Sequence, residues 1–154
     1  MKKIYYRETQ KMRIFVFAMC IIGGLVLIAS IFQWGSKPIP IGLGLLIALL
    51  FVGLLLPFHN LTIRVCESHA TVKFGIGWLK RQVLLDNLDL NTVQIIDLPW
   101  YVGIGYRIST EGTFFNTKPG PALLIKTKDG SPPLFVGTNN YEEIITTIQS
   151  IQKS

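Results

Sequence analysis

Two long stretches of this chain carry no charge at all: residues 14–34, IFVFAMCIIGGLVLIASIFQW, and residues 39–58, IPIGLGLLIALLFVGLLLPF. A helix rises about 1.5 Å per residue, so each stretch reaches the roughly 30 Å of a hydrocarbon core. Two such runs in succession predict two transmembrane helices. Only Gly35-Ser36-Lys37-Pro38 lies between them, which predicts an antiparallel hairpin. Pro38 and Pro40 suit the start of the second helix, where a missing N–H costs little, and Pro57 marks its end. Trp34 and Phe58 fall where aromatic rings favour the membrane–water interface. The first run is too long for the apolar part of a secretory signal, and no small-residue cleavage site follows it. Bulky Phe17 and Met19 precede Cys20 where lipidation would need small residues.

Charge sets the expected orientation. The net charge of +6 is concentrated at one end. Residues 1–13 hold Lys2, Lys3, Arg7, Lys11 and Arg13 against Glu8, a net +4, and Lys37 adds one more. Residues 59–154 hold nine Lys/Arg and eight Asp/Glu, so that part is close to neutral. Basic residues flanking a first span keep that side in the cytoplasm. The chain is therefore expected in the cell membrane as a two-pass protein, with a basic cytoplasmic tail (1–13) and a cytoplasmic domain (59–154). Near-neutrality of the domain argues against a nucleic-acid partner. Asn60-Leu61-Thr62 fits a glycosylation sequon but lies on the cytoplasmic side, so it is read as chance. Gly23, Gly24, Gly44, Ala48 and Gly53 let helices approach closely, either each other or another membrane protein. No ionisable residue lies within either span, so no transport pathway is expected.

After residue 60 the pattern changes to period two. Leu61, Ile63 and Val65 alternate with Thr62, Arg64 and Cys66; Ala70, Val72 and Phe74 alternate with Thr71 and Lys73. Further strands are predicted at 78–85 and 92–98. One hairpin is expected at 105–109 and 112–116, turning at Thr110-Glu111. A second is expected at 123–128 and 134–137, turning at Asp129-Gly130. Tyr141, Ile144, Ile145, Ile148 and Ile151 then recur at helical spacing, with Thr138 or Asn139 as the N-cap and Asn139-x-x-Glu142 as a capping box. About eight short strands and one closing helix suggest a sandwich or barrel, so the expected class is a membrane-anchored α+β protein.

The segment 99–107, PWYVGIGYR, followed by GTFFN at 112–116, resembles the signature stretch of bacterial pleckstrin-homology-like domains. So does the end of the chain: Lys128-Asp129-Gly130 between two strands, then Gly137-Thr138 leading into an acidic helix start. Tyr6-Arg7-Glu8-Thr9-Gln10-Lys11 is similar to the basic, Glu-containing tail that precedes two transmembrane helices in such proteins. The resemblance covers essentially the whole chain. It implies a mainly antiparallel barrel or sandwich with a C-terminal capping helix, tethered to the membrane. It implies no single activity. The loop Glu67-Ser68-His69 lacks the Lys/Arg cluster with which eukaryotic members hold phosphoinositides.

Candidate chemistry is sparse. Gly75-Ile76-Gly77 and Gly103-Ile104-Gly105 do not continue into a dinucleotide fingerprint and read as turns or bulges. His59 and His69 have no neighbouring ligands at metal spacing, and Cys20 and Cys66 are too far apart in the chain plan to pair. No serine sits in a G-x-S-x-G elbow. No catalytic residue, metal or cofactor is expected. Trp100, Tyr101, Tyr106, Arg107, Phe114, Phe115 and Asn116 gather aromatic and polar groups in one region. Two readings stand: core with satisfied turns, or a groove with Trp100 and Tyr101 as walls and Arg107, Asn116 and Lys118 as polar contacts. Lys80-Arg81 is either a solvated pair or a contact to anionic headgroups. The expected function is a non-catalytic membrane-tethered module that binds a protein partner or self-associates. The alternative is a sensor of an anionic ligand or lipid headgroup.

Overall fold

A computed structural model describes residues 3–99 and 104–153. It begins with a strand, β1 (Ile4–Lys11), in the segment expected to be a tail. Two helices follow, α1 (Arg13–Ile31) and α2 (Ile41–Phe58), both long and apolar enough to cross a membrane. Then come β2 (Asn60–Cys66), β3 (His69–Phe74), β4 (Lys80–Leu84), a 3-10 turn (Leu85–Asn87) and β5 (Leu88–Leu98). Strands β6 (Gly105–Ser109), β7 (Gly112–Asn116), β8 (Gly120–Thr127) and β9 (Leu134–Gly137) precede the last helix, α3 (Tyr141–Gln152).

The strands form two sheets. The first has the order β1-β2-β3-β4 and the second β5-β8-β9-β7-β6. Pairing is antiparallel except for β7 with β9, which run parallel. The sheets stack as a sandwich and do not close into a barrel among the described residues. Period two decides which residues meet. Leu61, Ile63, Val65, Val72 and Phe74 of the first sheet face Phe115, Leu123, Ile125, Leu134 and Val136 of the second. Ile144 and Ile148 of α3 close the same core. Burying each of these side chains contributes roughly 1.5–3 kcal/mol.

The inward face of β1 is polar, and hydrogen bonds hold it. Glu8 lies at the centre. Tyr6 Oη and Thr138 Oγ1 both donate to Glu8 Oε2 at 2.8 Å. Gln10 Nε2 donates to Glu8 Oε1 at 2.9 Å and to the Gly137 carbonyl at 2.8 Å, and Thr117 Oγ1 donates to Gln10 Oε1. These bonds tie β1 to the ends of β7 and β9 in the opposite sheet. Burial, reinforced by the bond to Glu8, pushes the Tyr6 hydroxyl well above its ordinary pKa.

The helices are shorter than the apolar runs. Pro38 and Pro40 keep the chain extended, so the connection runs from 32 to 40 and Pro40 occupies the N-cap of α2. Gln33 completes the turn by donating to the Ser30 carbonyl and, at 3.2 Å, to that of Ile39. Gly44 lies against buried Ser30: a Cβ there would fall 2.3 Å from Ser30 Oγ. No capping box forms on α3. Its N-cap is Asn140, whose N–H donates to Thr138 Oγ1 because that hydroxyl is already held by Glu8.

No linker separates the hairpin from the sandwich. Only Met12 lies between β1 and α1, and only His59 between α2 and β2. Met12 N–H donates to the His59 carbonyl at 3.1 Å, so the β1–β2 ladder ends where the helix pair begins. Gly75, at φ 45°, lets the β3–β4 turn rest on the end of α2, where a Cβ would lie 2.1 Å from the Leu56 carbonyl oxygen.

Candidate functional site

Strand alternation divides the aromatic region into two faces. Tyr106 and Phe115 point into the core, with ring centroids 5.0 Å apart. Arg107 and Phe114 are paired across β6 and β7 and share the outer face of the second sheet. Phe114 stacks on Phe135 at 4.0 Å and 13°, directly across the parallel β7–β9 pair.

These residues floor a groove of about 420 Å³. The end of β5, from Ile96 to Pro99, forms one wall; Arg107, Ser109, Thr110 and Glu111 form the other. Asp97 and Glu111 also line it, but alternation with Ile96 and Leu98, which pack with Phe114 and Phe135, turns the Asp97 side chain to the other face of β5. The β6–β7 turn is held locally: Glu111 N–H donates to Ser109 Oγ at 3.2 Å. Ile108, next to Arg107 on the edge strand, is 67 % exposed. The groove therefore offers an apolar floor, mixed charge at the rim and an adjacent strand edge.

Of the residues singled out from sequence, Arg107 lies in this groove. Trp100 and Tyr101 lie outside the described residues. Asn116 is buried at the far end of β7 against Gly137, and Lys118 is exposed in the β7–β8 turn; neither lines the groove. Glu111 and Phe135 were missed. Phe135 reaches the site through a long-range parallel pairing that leaves no local pattern in the chain.

Lys80 and Arg81 point to opposite faces of the first sheet. Arg81 faces inward and bridges the sheets: it donates to Thr113 Oγ1 at 2.8 Å, to the Pro133 carbonyl at 3.2 Å and to the Pro132 carbonyl. Desolvation lowers its pKa. Its donors are thus committed within the fold rather than offered to a headgroup. Lys80 stands on the outer face beside Lys73. Among the described residues no three His, Cys, Asp or Glu side chains are grouped to hold a metal ion. Cys20 and Cys66 are both free thiols.

No family model, no curated protein and no solved structure matches this chain.

Proposed function

We propose that this protein is a non-catalytic, membrane-tethered interaction module with a pleckstrin-homology-like domain. The two helices act as the tether. Their side chains need a non-aqueous solvent: Ile14 is 86 % exposed, Leu46 63 % and Leu49 60 %. The basic residues around α1 favour a cytoplasmic position for the sandwich and both termini. The two-sheet layout with a closing C-terminal helix suits the pleckstrin-homology-like assignment.

The groove beside Arg107 carries the functional reading. Its stacked Phe114–Phe135 floor suits an apolar side chain, and its mixed rim suits a peptide better than a bare anion. Glu111 on the rim would repel a phosphate or carboxylate at that position. The neighbouring edge of β6 can accept an added strand, with main-chain hydrogen bonds giving affinity and the groove reading a side chain. The occupant is thus a protein segment, from a partner or from a second copy.

The test is a photo-crosslinking residue at Ile108 in native membranes. A discrete protein adduct that disappears with Arg107→Glu is expected. An adduct of twice the chain's own mass would assign self-association. No adduct, or one indifferent to Arg107→Glu, refutes the module.

A further inference from the structure

The outer face of the first sheet carries cations and no acid. Register places Arg7 opposite Arg64, and Lys73 opposite Lys80. Like charges directly opposed on adjacent strands destabilise a sheet. Here two such pairs lie on one face, and no Asp or Glu occupies a position on that face in any of its four strands. Arg64 is only partly exposed, and its Nε is buried without a hydrogen-bond partner.

A groove of about 380 Å³ opens on this face. Arg64, His69, Lys73 and Lys80 line it, with Thr71 and Gln82 as neutral donors between them. This donor set is suited to an oxyanion. Arg64, Lys73 and Lys80 supply charge, and Thr71 and Gln82 supply directed hydrogen bonds.

Position selects the source of the phosphate. The groove runs to Ile76 and Gly77, in the turn that rests on the Leu56 and Pro57 backbone at the end of α2. At that same end Trp78 is 74 % exposed and Ile76 50 % exposed. An amphipathic ring and an apolar side chain at the end of a membrane-length helix lie at headgroup depth. Lys11, at the end of β1 on the same face, and Arg13, at the start of α1, extend the positive charge along this level.

We propose that this groove binds the phosphate of an anionic phospholipid, with Arg64, Lys73 and Lys80 as its principal contacts and Trp78 embedded beside it. The site is separate from the Arg107 groove. It lies on the other sheet; it rests on the two helices acting as a membrane tether, but not on the binding of a protein segment at the Arg107 groove.

The experiment compares the full-length protein in nanodiscs of phosphatidylcholine alone with nanodiscs of mixed phosphatidylcholine and phosphatidylglycerol. Native mass spectrometry of the released protein counts the lipids retained. Thermal unfolding is followed in parallel. The wild type is expected to retain phosphatidylglycerol preferentially and to melt higher in the mixed discs. Lys73→Gln/Lys80→Gln should lower that preference about thirtyfold, the equivalent of roughly 1 kcal/mol for each interfacial cation removed. In phosphatidylcholine alone the same variant should melt no lower than the wild type, because a repulsive pair has been removed. A purely structural role for these lysines would give the opposite shift. Lys126→Gln/Lys153→Gln, which removes equal charge elsewhere, should leave the preference intact. Equal retention of both lipids by the wild type would overturn the proposal, as would unchanged preference in Lys73→Gln/Lys80→Gln. An arm with inorganic phosphate separates the sources. Competition that displaces phosphatidylglycerol identifies the headgroup phosphate as the recognised group. Binding of phosphate without any preference for phosphatidylglycerol overturns the lipid assignment.

Discussion

Removing the Glu8 carboxylate should detach β1 from the sandwich. In Glu8→Ala, Tyr6 Oη, Thr138 Oγ1 and Gln10 Nε2 all lose an acceptor that they now hold at 2.8–2.9 Å. A hydrogen bond to a charged group contributes about 1.5–3 kcal/mol, and orphaning a buried donor costs about 1–3 kcal/mol. Thr138 is 1 % exposed and Tyr6 7 %, so neither hydroxyl finds ready solvent. Gln10 keeps its bond to the Gly137 carbonyl, which limits its share of the loss. The sum is about 3–5 kcal/mol. At roughly 2–4 °C per kcal/mol for a chain of about this size, the melting temperature should fall by on the order of 10 °C. The assay is thermal unfolding of the detergent-solubilised full-length protein, joined to amide hydrogen exchange resolved over residues 4–11. Exchange there should accelerate more than in β7 or β8, whose core packing does not involve Glu8. A melting temperature within about 1 °C of the wild type, with unchanged exchange in β1, would refute the role assigned to this network.

Two further outcomes follow from the same geometry. The raised pKa of Tyr6 means that folding favours its neutral form: this stability is complete below the ordinary value of 10.0 and is lost as the pH rises towards the folded-state value. Tyr6→Phe should therefore lower stability by about 1 kcal/mol at neutral pH and flatten the alkaline loss, read from melting temperatures across the range. Gly75→Val places a β-branched side chain at φ 45° with its Cβ 2.1 Å from the Leu56 carbonyl oxygen, so the β3–β4 turn must lift from α2. A loss of about 2 kcal/mol or more is expected, together with faster hydrogen exchange at Ile76 and Gly77. Unchanged exchange there would contradict the close packing of this turn on the helix.

Elements with an apolar face were legible from the chain. The β6–β7 hairpin falls at 105–109 and 112–116 as period two and the Thr110-Glu111 turn require. α3 follows the spacing of Tyr141, Ile144, Ile145, Ile148 and Ile151. β1 was not legible, because its inward residues are Tyr6, Glu8 and Gln10, held by hydrogen bonds rather than by an apolar stripe. The first half of β5 was hidden for a related reason: its pairing with β8 shifts register between Asp89 and Gln94, which breaks the alternation. The same limit applies at the candidate site. Alternation alone separates Arg107 from Tyr106, but which strand lies beside Phe114 depends on the parallel β7–β9 pair. Arg81 and Lys80 are adjacent in sequence and chemically alike, yet the pleat sends one to bridge the sheets and the other to the outer face.

The physical link between the hairpin and the sandwich is aromatic as well as covalent. Phe15 of α1 meets Phe58 of α2 at 5.9 Å, Phe58 meets Phe74 at 5.9 Å, Phe74 stacks on Phe115 at 5.8 Å, and Phe115 meets Tyr106 at 5.0 Å. The column begins at the base of the helices and ends on β6, the strand that carries Arg107. Close-packed rings transmit displacement because a core has no free volume to absorb it. With single-residue junctions at Met12 and His59, a rotation of α1 against α2 cannot be taken up in a linker. It must either break the Phe15–Phe58 contact or move Phe74 and Phe115 with it. The helix hairpin and the strand that carries Arg107 therefore belong to one mechanical unit, and a change in how α1 packs on α2 is carried towards the edge of the second sheet.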